Sequence, residues 1–117
     1  LAEDDNDMRR FLVKALENAG YQVSSYDNGL SAYNRLREEP FQLLLTDIVM
    51  PEMDGIELAH RASSQFPNLK ILLMTGYAEQ RERADDLMEK IIDVVPKPFA
   101  LPDIRKAVAR ALAAPHA

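Results

Sequence analysis

Apolar residues recur every three or four positions along several segments of the chain, as they do on the buried face of an amphipathic helix. In the first such segment Met8, Phe11 and Leu12 follow this spacing, and Gly20 is a typical helix end. Residues 79–90 have a helix-forming composition but few apolar positions, so we expect that helix to be mostly solvated and mobile. The predicted helices cover Asp7–Ala19, Leu30 to before Pro40, Ile56 to before Pro67, Glu79–Lys90 and the stripe Ile104–Leu112.

Short apolar segments alternate with these helices and predict strands. The segment Phe41–Thr46 is nearly all apolar apart from Gln42, which is typical of a strand buried on both faces. Strands joined by helices form a parallel sheet with helices on both sides, so we predict an α/β, doubly wound fold. The predicted strands are Tyr21–Tyr26, Phe41–Thr46, Lys70–Thr75 and Ile92–Pro96, with a stub at Leu1–Ala2.

The length of 117 residues suits one compact domain. We assign residues 1–113 to that domain and residues 114–117 to a tail. Since only Leu1 and Ala2 stand before the acidic residues, we expect the first strand to be incomplete at its start.

The charge and composition of the chain indicate which kinds of partner molecule and which cellular compartment to expect. The chain has 14 basic and 19 acidic residues, a net charge of −5, and its basic residues form no run, so we expect no DNA partner. No apolar run approaches the ~20 residues that a membrane-spanning helix needs, so we expect no membrane anchor. The absence of cysteine and of a signal peptide leads us to expect a cytoplasmic protein.

Polar residues follow the strands at the edge where an open parallel sheet binds its ligands, the carboxyl ends of the strands. Glu3 and Asp4 follow the first stub, and Asp47 follows the most apolar strand. Thr75 ends the next predicted strand, and Lys97 follows the one after it. The sequence therefore predicts that these side chains meet at one edge of the sheet.

Carboxylates that lie close together repel each other unless a cation shares their site. All-oxygen ligands favour magnesium, so Glu3, Asp4 and Asp47 predict a magnesium site. A lysine and a threonine beside such an ion could hold a phosphoryl group, and Asp47 could be the nucleophile that accepts it. The neighbouring Asp5 and Asp7 fit the start of the first helix, where negative charge is favoured.

Together these residues resemble the receiver domains of two-component response regulators. The motifs that carry the resemblance are Glu3-Asp4, Leu-Leu-Thr-Asp47, Met50-Pro51 with Asp54-Gly55, Thr75-Gly76 and Lys97-Pro98-Phe99. The resemblance covers the whole chain and implies a flavodoxin-like sheet of five parallel strands in the order 2-1-3-4-5.

By position, the resemblance implies that Asp47 is the phosphoacceptor and that Asp4 binds magnesium directly. Glu3 would bind the ion through water, and the backbone carbonyl of Val49 would complete the protein ligands. Lys97 and Thr75 would hold the phosphoryl oxygens, with a cis bond before Pro98 to aim Lys97 at the site. A protein of this kind is a signalling domain that catalyses only its own phosphorylation and dephosphorylation.

The partners implied are a histidine kinase or histidine phosphotransferase as phosphoryl donor, and a downstream protein that reads a switched contact surface. More narrowly, Ala2-Glu3-Asp4-Asp5 and the segments 44–51 and 74–78 resemble the CpdR-type single-domain receivers of alphaproteobacteria. That type implies a protease complex as the downstream partner, in cell-cycle control.

The sequence departs from many receivers at Val94, where they place the Phe or Tyr of a phosphorylation switch; Tyr77 is another aromatic nearby in sequence. Two other functions remain open at this point. A phosphohydrolase would need an acid two residues after Asp47, where the chain has Val49, and a docking module with a vestigial site would not accept phosphoryl groups.

Overall fold

The computed structural model describes residues 1–75, 93–97 and 99–113. The predicted strand Lys70–Thr75 is confirmed at both ends, and the other described elements begin and end close to their predicted positions. The predicted helix at 79–90, Ile92, Tyr77, Pro98 and the tail lie outside the described residues. The elements are α1 (Asn6–Asn18), α2 (Gly29–Glu38), β1 (Leu43–Asp47), α3 (Gly55–Gln65), β2 (Lys70–Thr75), β3 (Asp93–Pro96) and α4 (Leu101–Ala113).

The three strands form a parallel sheet in the order β1-β2-β3. Ala2 extends this sheet beyond β1, because it makes a parallel bridge to Thr46 on one side and to Tyr26 on the other. Reading across the sheet gives Tyr26, Ala2, β1, β2 and β3. This is the predicted order 2-1-3-4-5 and confirms the doubly wound α/β fold.

The prediction of a regular strand at Tyr21–Tyr26 is wrong in extent, whereas the predicted stub at Leu1–Ala2 is confirmed by the bridging residue Ala2. Each segment contributes a single bridging residue. The chain leaves the sheet directly after Glu3 and turns into the cap of α1 at Asp5, so only Ala2 can pair on both sides. The ammonium group of Leu1 adds one hydrogen bond, to the carbonyl oxygen of Ser24 at 3.0 Å.

Successive strand residues point into two separate hydrophobic cores. On one face Leu44, Ile71 and Leu73 pack with buried residues of α2 and α3. On the other face Leu45, Leu72 and Met74 pack with buried residues of α1 and α4. Because helices cover both faces, the central residues of the strands are buried and hold the residues at their carboxyl ends rigidly.

Three helices begin with the same type of cap, in which an Asp or Asn side chain accepts a backbone N–H from the first turn. Asp5 accepts from Met8 at 2.9 Å, which confirms the predicted role of Asp5, and Asp7 lies in the first turn of α1. The corresponding caps of α2 and α3 are Asn28 and Asp54. None of the helices in the described ranges is both long and apolar enough to cross a membrane.

Candidate active site and metal centre

The carboxyl ends of the strands bring four sequence-predicted residues to one edge of the sheet. Asp47 is the last residue of β1, Thr75 is the last residue of β2 and Lys97 follows β3. Glu3 follows the bridging residue Ala2. The chain reaches this edge from four places in the sequence because parallel strands all end on the same side.

Lys97 links the acidic residues of this edge directly. Its Nζ lies 3.0 Å from Oδ2 of Asp47 and 3.1 Å from Oε1 of Glu3. Its backbone N–H donates to the carbonyl oxygen of Thr75 at 2.7 Å, which ties the start of the loop after β3 to the end of β2. One lysine therefore connects three of the predicted site residues.

Glu3, Asp4 and Asp47 form a carboxylate cluster in which one ligand oxygen of each lies within 4.8 Å of the others. Glu3 is 1% exposed and Asp47 is 8% exposed, whereas Asp4 is open to solvent. When all three carboxylates are ionised, Lys97 neutralises one of the negative charges and leaves two, the charge of a single divalent cation. Oε2 of Glu3 is buried and has no hydrogen-bond partner, so the donor set fits a magnesium ion.

The buried carboxyl of Glu3 shows the electrostatic strain of this arrangement. The pKa of Glu3 is raised to about 8, mainly by burial and also by the adjacent Asp47, while Lys97 acts in the opposite direction. Burial lowers the pKa of Lys97, but its contacts with Asp47 and Glu3 outweigh this effect and raise the pKa overall. Glu3 therefore takes up a proton more readily than a free glutamate does, and this proton reduces the repulsion between the carboxylates.

Local backbone contacts fix Asp47 in place. Its Oδ1 accepts a hydrogen bond from the N–H of Ile48 at 2.8 Å, and its carbonyl oxygen accepts one from the hydroxyl of Thr46 at 2.8 Å. The loop after β1 folds back here, since the N–H of Gly55 donates to the carbonyl oxygen of Ile48 at 2.7 Å. A Cβ atom at Gly55 would lie only 2.0 Å from the carbonyl oxygen of Asp47.

The sequence analysis, which begins the third helix at Ile56, does not predict the close approach of Asp47 to Gly55. The helix α3 begins at this residue. The available signal was the pair Asp54-Gly55, a capping residue followed by a residue without a side chain.

The remaining predicted residues differ in their surroundings. Thr75 is buried at 4% exposure, whereas Val49, two residues after Asp47, is 53% exposed. Val94 is buried in the core that contains α2 and α3. At that position β3 contributes to packing.

Comparison with known proteins agrees with these observations. The profile of the response regulator receiver domain matches residues 1–109. The response regulator receiver protein CpdR of Brucella abortus is 60% identical over 114 residues, which are 97% of this chain and 95% of that protein. The transcriptional regulatory protein TctD of Salmonella typhimurium is 36% identical over 89% of this chain, but the match covers only 46% of TctD.

Solved structures show the same architecture. A CheY-like receiver domain protein of Methanospirillum hungatei superposes with a TM-score of 0.87, is 26% identical, and is matched over 95% of this chain and 89% of its own. The response regulator TrrA of Thermotoga maritima, solved in complex with Mg²⁺ and BeF, has a TM-score of 0.84 at 24% identity over 94% of each chain. The profile match and the 60% identity to CpdR show that this chain belongs to the response regulator receiver domains of two-component systems.

Proposed function

We propose that this protein is a phosphorylation-dependent switch in which Asp47 accepts a phosphoryl group from a phosphohistidine donor in the presence of magnesium. The observation that carries the proposal is the contact of Lys97 with Asp47 and Glu3, at 3.0 Å and 3.1 Å, inside a carboxylate cluster. A fixed ammonium group beside a rigid carboxylate is an arrangement suited to phosphoryl transfer to aspartate.

Asp4, Asp47 and the backbone carbonyl of Val49 would hold the magnesium ion, with Glu3 binding it through water. When bound, the ion neutralises negative charge on the carboxylates and on the phosphoryl oxygens. The buried, unpartnered Oε2 of Glu3 and the two uncompensated negative charges support this assignment.

In the transfer itself, a carboxylate oxygen of Asp47 attacks the phosphorus atom as the bond from phosphorus to the donor imidazole nitrogen breaks. The products are an aspartyl phosphate and the free imidazole of the donor, which keeps the electron pair of the broken bond. The ammonium group of Lys97 and the hydroxyl of Thr75 hold the phosphoryl oxygens. Their positions at the ends of neighbouring strands fix them before the donor arrives.

The donor would be a histidine kinase or a histidine phosphotransferase, and the output would be a contact with another protein. Similarity to CpdR of Brucella abortus along 95% of that protein supports a receiver that acts without an attached effector domain. The resemblance to CpdR-type receivers suggests that the downstream partner belongs to a protease pathway in cell-cycle control. We expect the protein to act in the cytoplasm.

Intact mass spectrometry after incubation with acetyl phosphate and magnesium tests the phosphoacceptor. The wild-type protein should gain one phosphoryl group, and the gain should disappear in Asp47→Asn and on addition of EDTA. Asp7→Asn is a matched control, because it removes an exposed carboxylate that is not part of the cluster.

A gain that survives Asp47→Asn would contradict the assignment of the phosphoacceptor. Absence of any gain in the folded, magnesium-bound wild type would favour a docking module instead. Steady release of phosphate from small phosphate esters would point to a phosphohydrolase.

A further inference from the structure

The backbone that carries Glu3 and Asp4 is held by a side chain from outside the carboxylate cluster. Arg9, near the start of α1, donates from Nη1 to the carbonyl oxygen of Glu3 at 2.8 Å. Its Nη2 donates to Oδ1 of Asn6 at 2.5 Å. One guanidinium group therefore contacts the chain on both sides of Asp4.

The carbonyl of Glu3 belongs to the peptide group that joins Glu3 to Asp4. A peptide group is planar, so a hydrogen bond to its oxygen restrains the orientation of the whole plane. That orientation sets the directions in which the Cβ atoms of Glu3 and Asp4 leave the backbone. The hydrogen bond from Arg9 thus acts on both carboxylates at once.

Sheet pairing does not extend over this peptide group. Ala2 is bonded to β1 through the N–H of Asp47 and the carbonyl of Leu45, both at 2.9 Å, and the N–H of Glu3 donates to Tyr26 at 3.0 Å. The cap of α1 begins at Asp5. The Glu3–Asp4 peptide lies between these two regular regions, and the guanidinium group of Arg9 spans the gap.

We propose that Arg9 is a positioning residue for the magnesium site, which holds the Glu3–Asp4 peptide so that both carboxylates face Asp47. This inference rests on the proposed function, because it concerns the metal that the same carboxylates would hold. Residues that orient metal ligands commonly change metal affinity by about 10- to 100-fold when they are replaced.

The positive charge of Arg9 and its hydrogen bonds should change the affinity for magnesium in opposite directions. A positive charge near the site repels a cation, so removing that charge should strengthen magnesium binding. Loss of positioning should weaken it. Arg10 provides a matched control, because it carries the same charge one residue later but is exposed and pairs with Asp7.

Isothermal titration calorimetry with MgCl₂ on the full chain separates the two effects. We expect Arg9→Gln to bind magnesium about 10-fold more weakly than the wild type. Arg10→Gln should bind it as tightly as the wild type or slightly more tightly. Arg9→Lys should recover part of the affinity, since one ammonium group can reach the Glu3 carbonyl but cannot reproduce both contacts.

Asn6→Ala keeps the charge of Arg9 and removes one of its two hydrogen-bond acceptors. Because Asn6 is exposed, this variant should fold even if Arg9→Gln does not. We expect it to weaken magnesium binding by about threefold, as for the loss of part of one net hydrogen bond. In the phosphorylation assay, Arg9→Gln should need more magnesium for half-maximal reaction and should reach the same final extent.

Two results would overturn the assignment of Arg9 and leave the proposed function intact. One is magnesium binding in Arg9→Gln that equals or exceeds the wild-type affinity. The other is unchanged affinity in Asn6→Ala when Arg9→Gln fails to fold. Failure of the wild type itself to bind magnesium or to be phosphorylated on Asp47 would instead refute the proposed function.

Discussion

At the scale of single residues, the site contains more carboxylates than ammonium groups, and the surrounding structure keeps these side chains in place. Glu3 and Asp47 are nearly inaccessible to water, and the ammonium group of Lys97 is the cation that contacts both. Burying two carboxylates is costly unless each has a partner, and one ammonium group cannot satisfy every oxygen. Lys97 therefore contributes to the stability of the edge as well as to its proposed chemistry.

Replacing Lys97 by methionine should lower the free energy of unfolding without magnesium by about 1–3 kcal/mol, because Glu3 and Asp47 would face each other without a cation. Magnesium should restore most of this loss. Urea denaturation with and without MgCl₂ measures both effects, and Lys14→Met, at an exposed position of α1, should change little. Equal stability of Lys97→Met and wild type in the absence of magnesium would contradict this account.

At the scale of elements, the start of α3 is fitted closely against the end of β1. Asp54 caps the helix by accepting from Glu57 at 2.9 Å, and Gly55 lies against the backbone of Asp47. The two neighbouring residues thus have different functions. One satisfies the helix end, and the other allows the helix to approach the site.

Substitutions of Asp54 and Gly55 should lower the free energy of unfolding by different amounts and for different reasons. Asp54→Ala should lower the free energy of unfolding by about 1 kcal/mol, the usual effect of losing a cap. Gly55→Ala should lower it by about 2–3 kcal/mol, because the added methyl would lie 2.0 Å from the carbonyl oxygen of Asp47 and one of the two segments must move.

Gly55→Ala should also slow phosphorylation by acetyl phosphate, since the displaced backbone belongs to the phosphoacceptor. Thermal denaturation and the phosphorylation rate together test this pair. A Gly55→Ala protein with wild-type stability and rate would show that the loop has room for a side chain.

At the scale of the whole molecule, the site joins segments that are distant in sequence. Lys97 lies 94 residues from Glu3 and 50 from Asp47, and these contacts close the domain at one edge. An ion bound there would connect the segment of Glu3 and Asp4 with that of Asp47 more firmly than the lysine alone does. Ligand binding to the folded state alone stabilises it by mass action.

Magnesium should therefore raise the melting temperature of the wild-type protein. A concentration about 100 times the dissociation constant adds about 2.7 kcal/mol, which corresponds to a rise of roughly 10 °C in a domain of this size. The rise should be small in Asp4→Asn and unchanged in Asp7→Asn, with EDTA as the reversal control. A rise of equal size in Asp4→Asn would place the ion elsewhere.

The sequence predicted most of this architecture because the relevant signals are local. The strand at Lys70–Thr75 and the helices around it follow from apolar periodicity and from helix ends such as Gly20. The segment Tyr21–Tyr26 has the composition of a strand, but its pairing depends on how far its neighbour stays in the sheet, which composition does not record.

The sequence predicts which residues lie together at the candidate site better than it predicts how their side chains contact each other. The rule that ligands bind at the carboxyl ends of parallel strands brought Asp47, Thr75 and Lys97 together. The contacts of Lys97 with Glu3 and of Arg9 with the Glu3 carbonyl could not be predicted, because they depend on side-chain reach across the folded chain. The proximity of Gly55 to Asp47 is likewise a property of the packed structure.

The sheet divides the interior into two cores, and this division determines which substitutions the sequence can tolerate together. Leu72 and Leu73 are neighbours in the chain, yet Leu72 packs in the core with α1 and α4 and Leu73 packs in the core with α2 and α3. We therefore expect a loss of volume at Leu73 to be compensated by a larger residue near Leu58, in the same core, and not by one near Leu12, in the other. Two neighbouring positions should therefore accumulate substitutions independently, each in step with partners on its own side of the sheet.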